Sequence, residues 1–234
     1  LKIIIYILFL AKCVNLSAQT SKEIKILNAD NTFSNSNIHP DYWRLIGNVS
    51  FKHNNAIMFC DSAYHYINSN KINAFGKVKI TNGEEISITG NMLTYFGSNN
   101  NVDLKGNVIL IDKYMSLNTE HLFYNLISNI ASYPEIGRII DNEKEIISKM
   151  GEYQSNKHLF IFKDSVTVIS NDYVIQTNKM HYNSNSEITY FFGPSHIISD
   201  NKIIYCENGW YNTKTNTSQF RDNANITTEE YVLK

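Results

Sequence analysis

Seven histidines, at 39, 53, 65, 121, 158, 181 and 196, are the side chains best able to hold a metal or move a proton, and they form no ligand-spaced motif. Glu120-His121 lacks the second histidine of a zinc-binding helix. Cys60-Asp61 and Lys163-Asp164 each put a carboxylate beside a partner group, and they read as a strand edge and a turn rather than as a catalytic pair. A carbohydrate-processing β-helix would cluster carboxylates in one register across neighbouring repeats, and none cluster so. The expectation is a non-enzymatic chain with no metal site and no cofactor.

What does recur is tyrosine. Tyr66, Tyr95, Tyr124, Tyr153, Tyr182 and Tyr211 stand 29 residues apart. With 15 tyrosines in 234 residues, six in one phase is a chance event on the order of one in a million, so the chain is an internal repeat. Seven residues before each tyrosine stands Phe59, Ile88, Leu117, Ile146, Ile175 or Ile204; nine after stands Phe75, Leu104, Tyr133, Phe162, Phe191 or Phe220. Five before, the residue is usually small: Asp61, Gly90, Thr119, Ser148, Thr177, Cys206. A glycine or aspartate follows each tyrosine by ten to thirteen residues, at Gly76, Gly106, Gly137, Asp164, Gly193 and Asp222, with Gly47 opening the series, and reads as a recurring turn.

The elements that carry these columns are strands. "VKITNGEEISITG" (78–90) and "VTVISNDYVIQTN" (166–178) alternate apolar and polar residues with a period of two. Helical spacing is not sustained, and shows only weakly at 120–127. A 29-residue unit holds two strands and their turns but no crossover helix. One such pair cannot bury its apolar face, so successive units must stack and share a core. The sequence therefore predicts an all-β solenoid of stacked antiparallel strands, about two per repeat, over residues 47–234. Residues 19–46 are the expected N-terminal cap, with "IKILNADNTF" strand-like and "SNSNIHPDYW" breaking the repeat. Leu233 occupies an apolar column, and the next tyrosine in phase would fall six residues past Lys234. The expectation is a repeat cut short and a chain that is the N-terminal portion of something longer.

Composition narrows the class further. A net charge of −1 argues against a nucleic-acid partner, which needs a basic face. Hydrophobic residues reach 43%, with only 3 prolines and 10 glycines, so the composition is neither disordered nor collagen-like. Residues 1–18 have an early lysine, a short apolar run and Ser17-Ala18, the pattern of a secretory signal peptide cut after Ala18. Lys12 argues against lipid attachment at Cys13. The remaining cysteines, Cys60 and Cys206, lie five repeats apart, about 24 Å at one sheet rung per repeat, too far for a disulfide. Both are expected to be unpaired and packed.

"RLIGNVSFKHNNAIMFCDSAYHY" (44–66), "AFGKVKITNGEEISITGNMLTY" (74–95), "LKGNVILID" (104–112) and "IIYCENGWYNTKTNTSQF" (203–220), with the 29-residue phase, resemble the OstA-like (organic solvent tolerance) family. That family includes the lipopolysaccharide transport protein LptA and the N-terminal domain of LptD. The likeness covers residues 24–234. It implies a β-jellyroll folded into a V, whose apolar groove carries lipopolysaccharide acyl chains through the periplasm, and whose members join end to end through their sheet edges. Such edges bind partners by strand addition, here other transport jellyroll domains or further copies of the chain head to tail. Burying each methylene is worth about 0.8 kcal/mol, so an apolar trough removes most of the barrier to crossing water.

The candidate groove residues are Val49, Phe59, Phe75, Val78, Ile88, Leu104, Val108, Leu117, Ile146, Phe162, Val166, Ile175, Phe191, Ile204 and Phe220. The plainer alternative for each is a dry core between two sheets, and for the tyrosines a ring packed at a turn. Two other classes stay open: a scaffold or adhesin without lipid cargo, and, less favoured because 142–158 is heavily charged, an outer-membrane barrel.

Overall fold

The structure, a computed structural model, describes residues 23–35, 39–83, 86–141, 144–228 and 232–233. The signal-peptide segment lies outside them. The strands among the described residues are β1 Lys25–Asn28, β2 Asn31–Asn35, β3 His39–His53, β4 Ala56–Tyr66, β5 Lys71–Asn82, β6 Ile86–Phe96, β7 Asn101–Ile111, β8 Ser116–Asn125, β9 Ile130–Tyr133, β10 Gly137–Asp141, β11 Lys144–Ser148, β12 Met150–Gln154, β13 Leu159–Ile169, β14 Val174–Asn183, β15 Ile188–Ser199, β16 Lys202–Asn212, β17 Thr217–Arg221, β18 Asn225–Thr228 and β19 Val232–Leu233. A 3-10 turn, Ser155–Lys157, interrupts them.

Every pairing is antiparallel and joins neighbours in the chain, once β1 with β2, β9 with β10, β11 with β12 and β17 with β18 are recognised as halves of interrupted strands. Two strands therefore build each repeat, as the 29-residue period requires. The weakly helical 120–127 stretch is strand β8 and the turn after it. β1 and β2 pair onto β3, whose second half holds Val49, so these three strands belong to the same sheet. Among the described residues β1 and β2 pair with β3, β18 pairs with β16 and β19, and no residue pairing joins the first strands to the last, so the described strands form an open ladder.

Each long strand is folded midway. The register slips between Ile46 and Val49, Phe75 and Val78, Lys105 and Val108, and Lys163 and Val166. The residues skipped are consecutive left-handed pairs: Gly47-Asn48, Gly76-Lys77, Gly106-Asn107 and Asp164-Ser165. These are β-bulges, which bend a strand sharply. The Gly/Asp column thus marks a fold line inside the strands and not the hairpin turns. At Gly76, φ is +74° and a Cβ would lie 2.5 Å from the Asp61 carboxylate, so only glycine fits. Polar groups on the neighbouring strand close the line: Asn48 Nδ2 donates to Asp30 at 2.9 Å, Asn107 N to Glu120 at 3.1 Å, and Lys149 pairs with Asp164 at 3.2 Å.

Folding along this line gives two arms whose inner faces merge into one hydrophobic core. The arms end in two rims of turns. On one rim, four-residue turns at 67–70, 97–100, 126–129, 155–158, 184–187 and 213–216 each finish on a left-handed residue: Asn70, Asn100, Asn129, His158, Glu187 and Asn216. Asparagine dominates because it tolerates that conformation.

Candidate functional site

The inner face of the first arm is one unbroken apolar row. Reading across paired strands it runs Phe51, Met58, Ile80, Ile88, Leu110, Leu117, Ile139, Ile146, Val168, Ile175, Ile197, Ile204, Ile226. At the usual strand spacing it is roughly 60 Å long. The second arm faces it with Ala63, Ala74, Leu93, Leu104 and Leu122, then Tyr133, Gly151, Phe162, Met180, Phe191, Gly209 and Phe220. From Tyr133 onward an aromatic ring on one strand meets glycine or methionine on the next.

Twelve of the candidate residues are buried here: Val49, Val78, Ile88, Leu104, Val108, Leu117, Ile146, Phe162, Val166, Ile175, Phe191 and Ile204. Phe220 is half-buried against them. Phe59 and Phe75 are not among them; they point outward, 42% and 37% exposed. The inner positions of their repeat belong instead to Met58 and Ala74. The cause is one extra residue at the β5–β6 turn. Ile80 and its partner Ile88 are eight residues apart, whereas Phe51 and Met58, or Leu110 and Leu117, are seven apart. In a strand a shift of one residue turns a side chain to the other face. The same shift makes buried His65, not Tyr66, the structural counterpart of Tyr95. The sequence reading missed the Ile80, Leu110, Ile139, Val168 set, although it lies two residues beyond the valine and Gly137 positions, the spacing that a strand face repeats.

Towards β16 the interior opens. Tyr173, Ile197, Tyr211 and Phe220 are only partly buried, and a cavity of about 590 Å³ lies among them, rimmed by Asp172, Asp200 and Lys202. Elsewhere the two rims meet across the mouth of the V. The backbone N–H of Ile24 donates to Asn70 Oδ1 at 3.1 Å. His53 Nδ1 lies 2.5 Å from the Tyr95 hydroxyl, and Asn54 Nδ2 donates to Asn100 at 3.0 Å. Asn82 Nδ2 donates to Asn129 Oδ1 and to the Leu126 carbonyl, both at 3.0 Å. The Tyr153 hydroxyl donates to Asp112 at 2.5 Å, and Tyr182 bonds Asp141, with the Lys144 ammonium 5.0 Å from its ring. Burial, partly offset by the Tyr182 hydroxyl and Lys144, raises the Asp141 carboxyl above its ordinary range. Burial pushes the Tyr124 and Tyr133 phenols up to about 12.

The model of the family described as OstA-like protein matches residues 21–178 and 171–234. The chain belongs to the OstA-like family. Among solved structures, one similar to this OstA-like chain is LptH of Pseudomonas aeruginosa, described as the LptA-homologous periplasmic component of the conserved lipopolysaccharide transport device. It is 10% identical, with a TM-score of 0.44, over 47% of this chain and 84% of that one. No curated protein matches significantly.

The groups singled out for chemistry are dispersed on the OstA-like ladder. Cys60 faces the core while Asp61 sits outside beneath Gly76. Asp164 lies on the fold line, paired with Lys149. His121 pairs with Asp103 at 2.8 Å on the outer face. Among the described residues no group of three or more His, Cys, Asp or Glu is placed to hold a metal ion.

Cys60 and Cys206 are free and buried, in equivalent positions beside the fold line. Burial pushes both thiols up to about 11. At pH 8 only about a thousandth of each is then thiolate, the reactive form. A thiol reagent is expected to label neither Cys60 nor Cys206 in the folded chain and both in denaturant; labelling of either residue in folded protein at the rate of free cysteine would contradict this packing.

Proposed function

We propose that this protein is a periplasmic carrier of lipopolysaccharide between the inner and outer membranes, holding acyl chains between the two arms of its folded sheet and acting without catalysis. The observation that carries the reading is the apolar row from Phe51 to Ile226, which passes through paired strands without a polar interruption. Membership of the OstA-like family supports it. Nearly equivalent positions repeated every two strands suit a cargo that must advance, because no single site becomes a deep well. Each methylene kept from water saves about 0.8 kcal/mol, so acyl chains gain from any length of the row they occupy.

The sheet edges suit end-to-end assembly. Among the described residues β1 and β2 pair with β3 alone, and β17 with β16 alone. Such edges can add a strand from another transport jellyroll domain or from a second copy of this chain.

The test is photocrosslinking in cells from single unnatural residues. Ile88, Phe162 and Met58 are expected to label lipopolysaccharide, while Phe59, Ser87 and Thr167 label it weakly. Equal labelling from both sets, or none from the first, would sink the carrier reading and leave a scaffold whose dry interior has only a structural role.

A further inference from the structure

The tyrosine column has a division of labour that the repeat alone does not explain. At Tyr124 and Tyr211 the hydroxyl donates to the asparagine five residues on, within its own turn, at 2.8 and 3.0 Å. After Tyr153 and Tyr182 that fifth residue is His158 or Glu187, and there the hydroxyl bonds the opposite rim, at Asp112 and Asp141. Where the tyrosine serves its own turn, other side chains make the crossing: Asn82 reaches Asn129, whose Oδ1 also accepts the Tyr124 hydroxyl. Tyr95 does both, lying 3.3 Å from Asn100 and within reach of His53. With the Ile24–Asn70 bond at the first level, five successive levels are tied across the mouth by polar groups. The sixth is spanned by the edge-on rings of Tyr173 and Tyr211, 6.5 Å apart, beside the open cavity.

We propose that these ties are a latch: they hold the rims together over the interior, and an acyl-chain amphiphile enters sideways by parting them, beginning at the Tyr173–Tyr211 level where they already diverge. The inference rests on the carrier reading and adds the route. Three observations carry it. The rows inside are closed, with Ile88, Leu104, Leu117 and Phe162 wholly inaccessible, so cargo cannot reach them without a movement. The arms themselves are continuous main-chain ladders, which resist opening. The ties across the rims are instead isolated hydrogen bonds, mostly between side chains, one or two to a level, and each adds little net stability beside a strand ladder. The cavity at the sixth level matches an amphiphile: Ile197, Ile204 and Phe220 on its floor and the charged Asp172, Asp200 and Lys202 at its rim.

The experiment uses the full chain, a photoreactive residue at Ile88 or Ile204, and dansyl-labelled undecanoic acid as probe. Cysteines at Asn82 and Asn129, whose side chains touch at 3.0 Å, are joined by a short cleavable bridge. The bridge is expected to lower Ile88 labelling at least tenfold, to leave Ile204 labelled, and to release Ile88 on cleavage. In the unbridged chain, Tyr153→Phe with Tyr182→Phe keeps both rings and removes only the crossing hydroxyls. It is expected to speed Ile88 labelling at least threefold and, without any lipid, to raise amide hydrogen exchange in the turn at 112–115. Ile88 labelling that ignores the bridge overturns the latch while leaving the carrier standing. Absence of labelling at both Ile88 and Ile204 in the unbridged chain overturns the carrier and the latch together.

Discussion

Met58→Asp is expected to destabilise the protein by about 4 kcal/mol or more, the cost of a buried, unpartnered carboxylate, whereas Phe59→Asp shifts stability by about 1 kcal/mol or less. The two residues are adjacent and both apolar, and the 29-residue column names the second of them. Met58 is 1% exposed, in register with Phe51 and Ile80 on its neighbours. Phe59 faces solvent in register with Lys79, so a carboxylate there gains a cross-strand cation. Urea unfolding of the two variants measures the difference. Because each repeat leans only on its neighbours, the Met58 variant should also show its fastest amide exchange in β3, β4 and β5. A larger loss at Phe59 than at Met58 would refute the one-residue offset at the β5–β6 turn.

Gly151→Ala is expected to cost about 3 kcal/mol through overpacking. The Tyr133 ring is buried at the fold line between Gly137 and Gly151, and a Cβ on either glycine would enter the ring itself. Gly137 stands where the corresponding repeats carry Val108 and Val166, so the loss of that side chain goes with the larger ring. The Tyr133 hydroxyl is fixed 2.6 Å from Ser148 Oγ, which leaves the ring little freedom to retreat. Tyr133→Leu in the same chain should recover more than about 1 kcal/mol of the loss, a coupling that a double-mutant cycle resolves. Ser148 keeps a partner in that background, since its hydroxyl also donates to the Met150 carbonyl at 3.0 Å. Strict additivity of the two changes would show that the ring and the glycine do not share this space.

The order of residues alone establishes the repeat, its strand character and most of the interior. Those features are periodic: a residue buried at Ile88 forces apolar residues at Leu117, Ile146, Ile175 and Ile204, because equivalent rungs stack in one core. It also determined that Gly and Asp mark places where the backbone bends. That the bend is a fold line within strands follows from the three-dimensional arrangement alone, because a left-handed Gly-Asn pair reads alike in a hairpin turn and in a bulge. Only the structure separated Met58 from Phe59 and Ala74 from Phe75. A single added residue in a turn hardly disturbs a count over six repeats, yet it reverses the face of every residue before it. The ties between Asp112 and Tyr153, or Asp141 and Tyr182, were likewise beyond the pattern, since they join rims about 40 residues apart in the chain and depend on how far the two arms close.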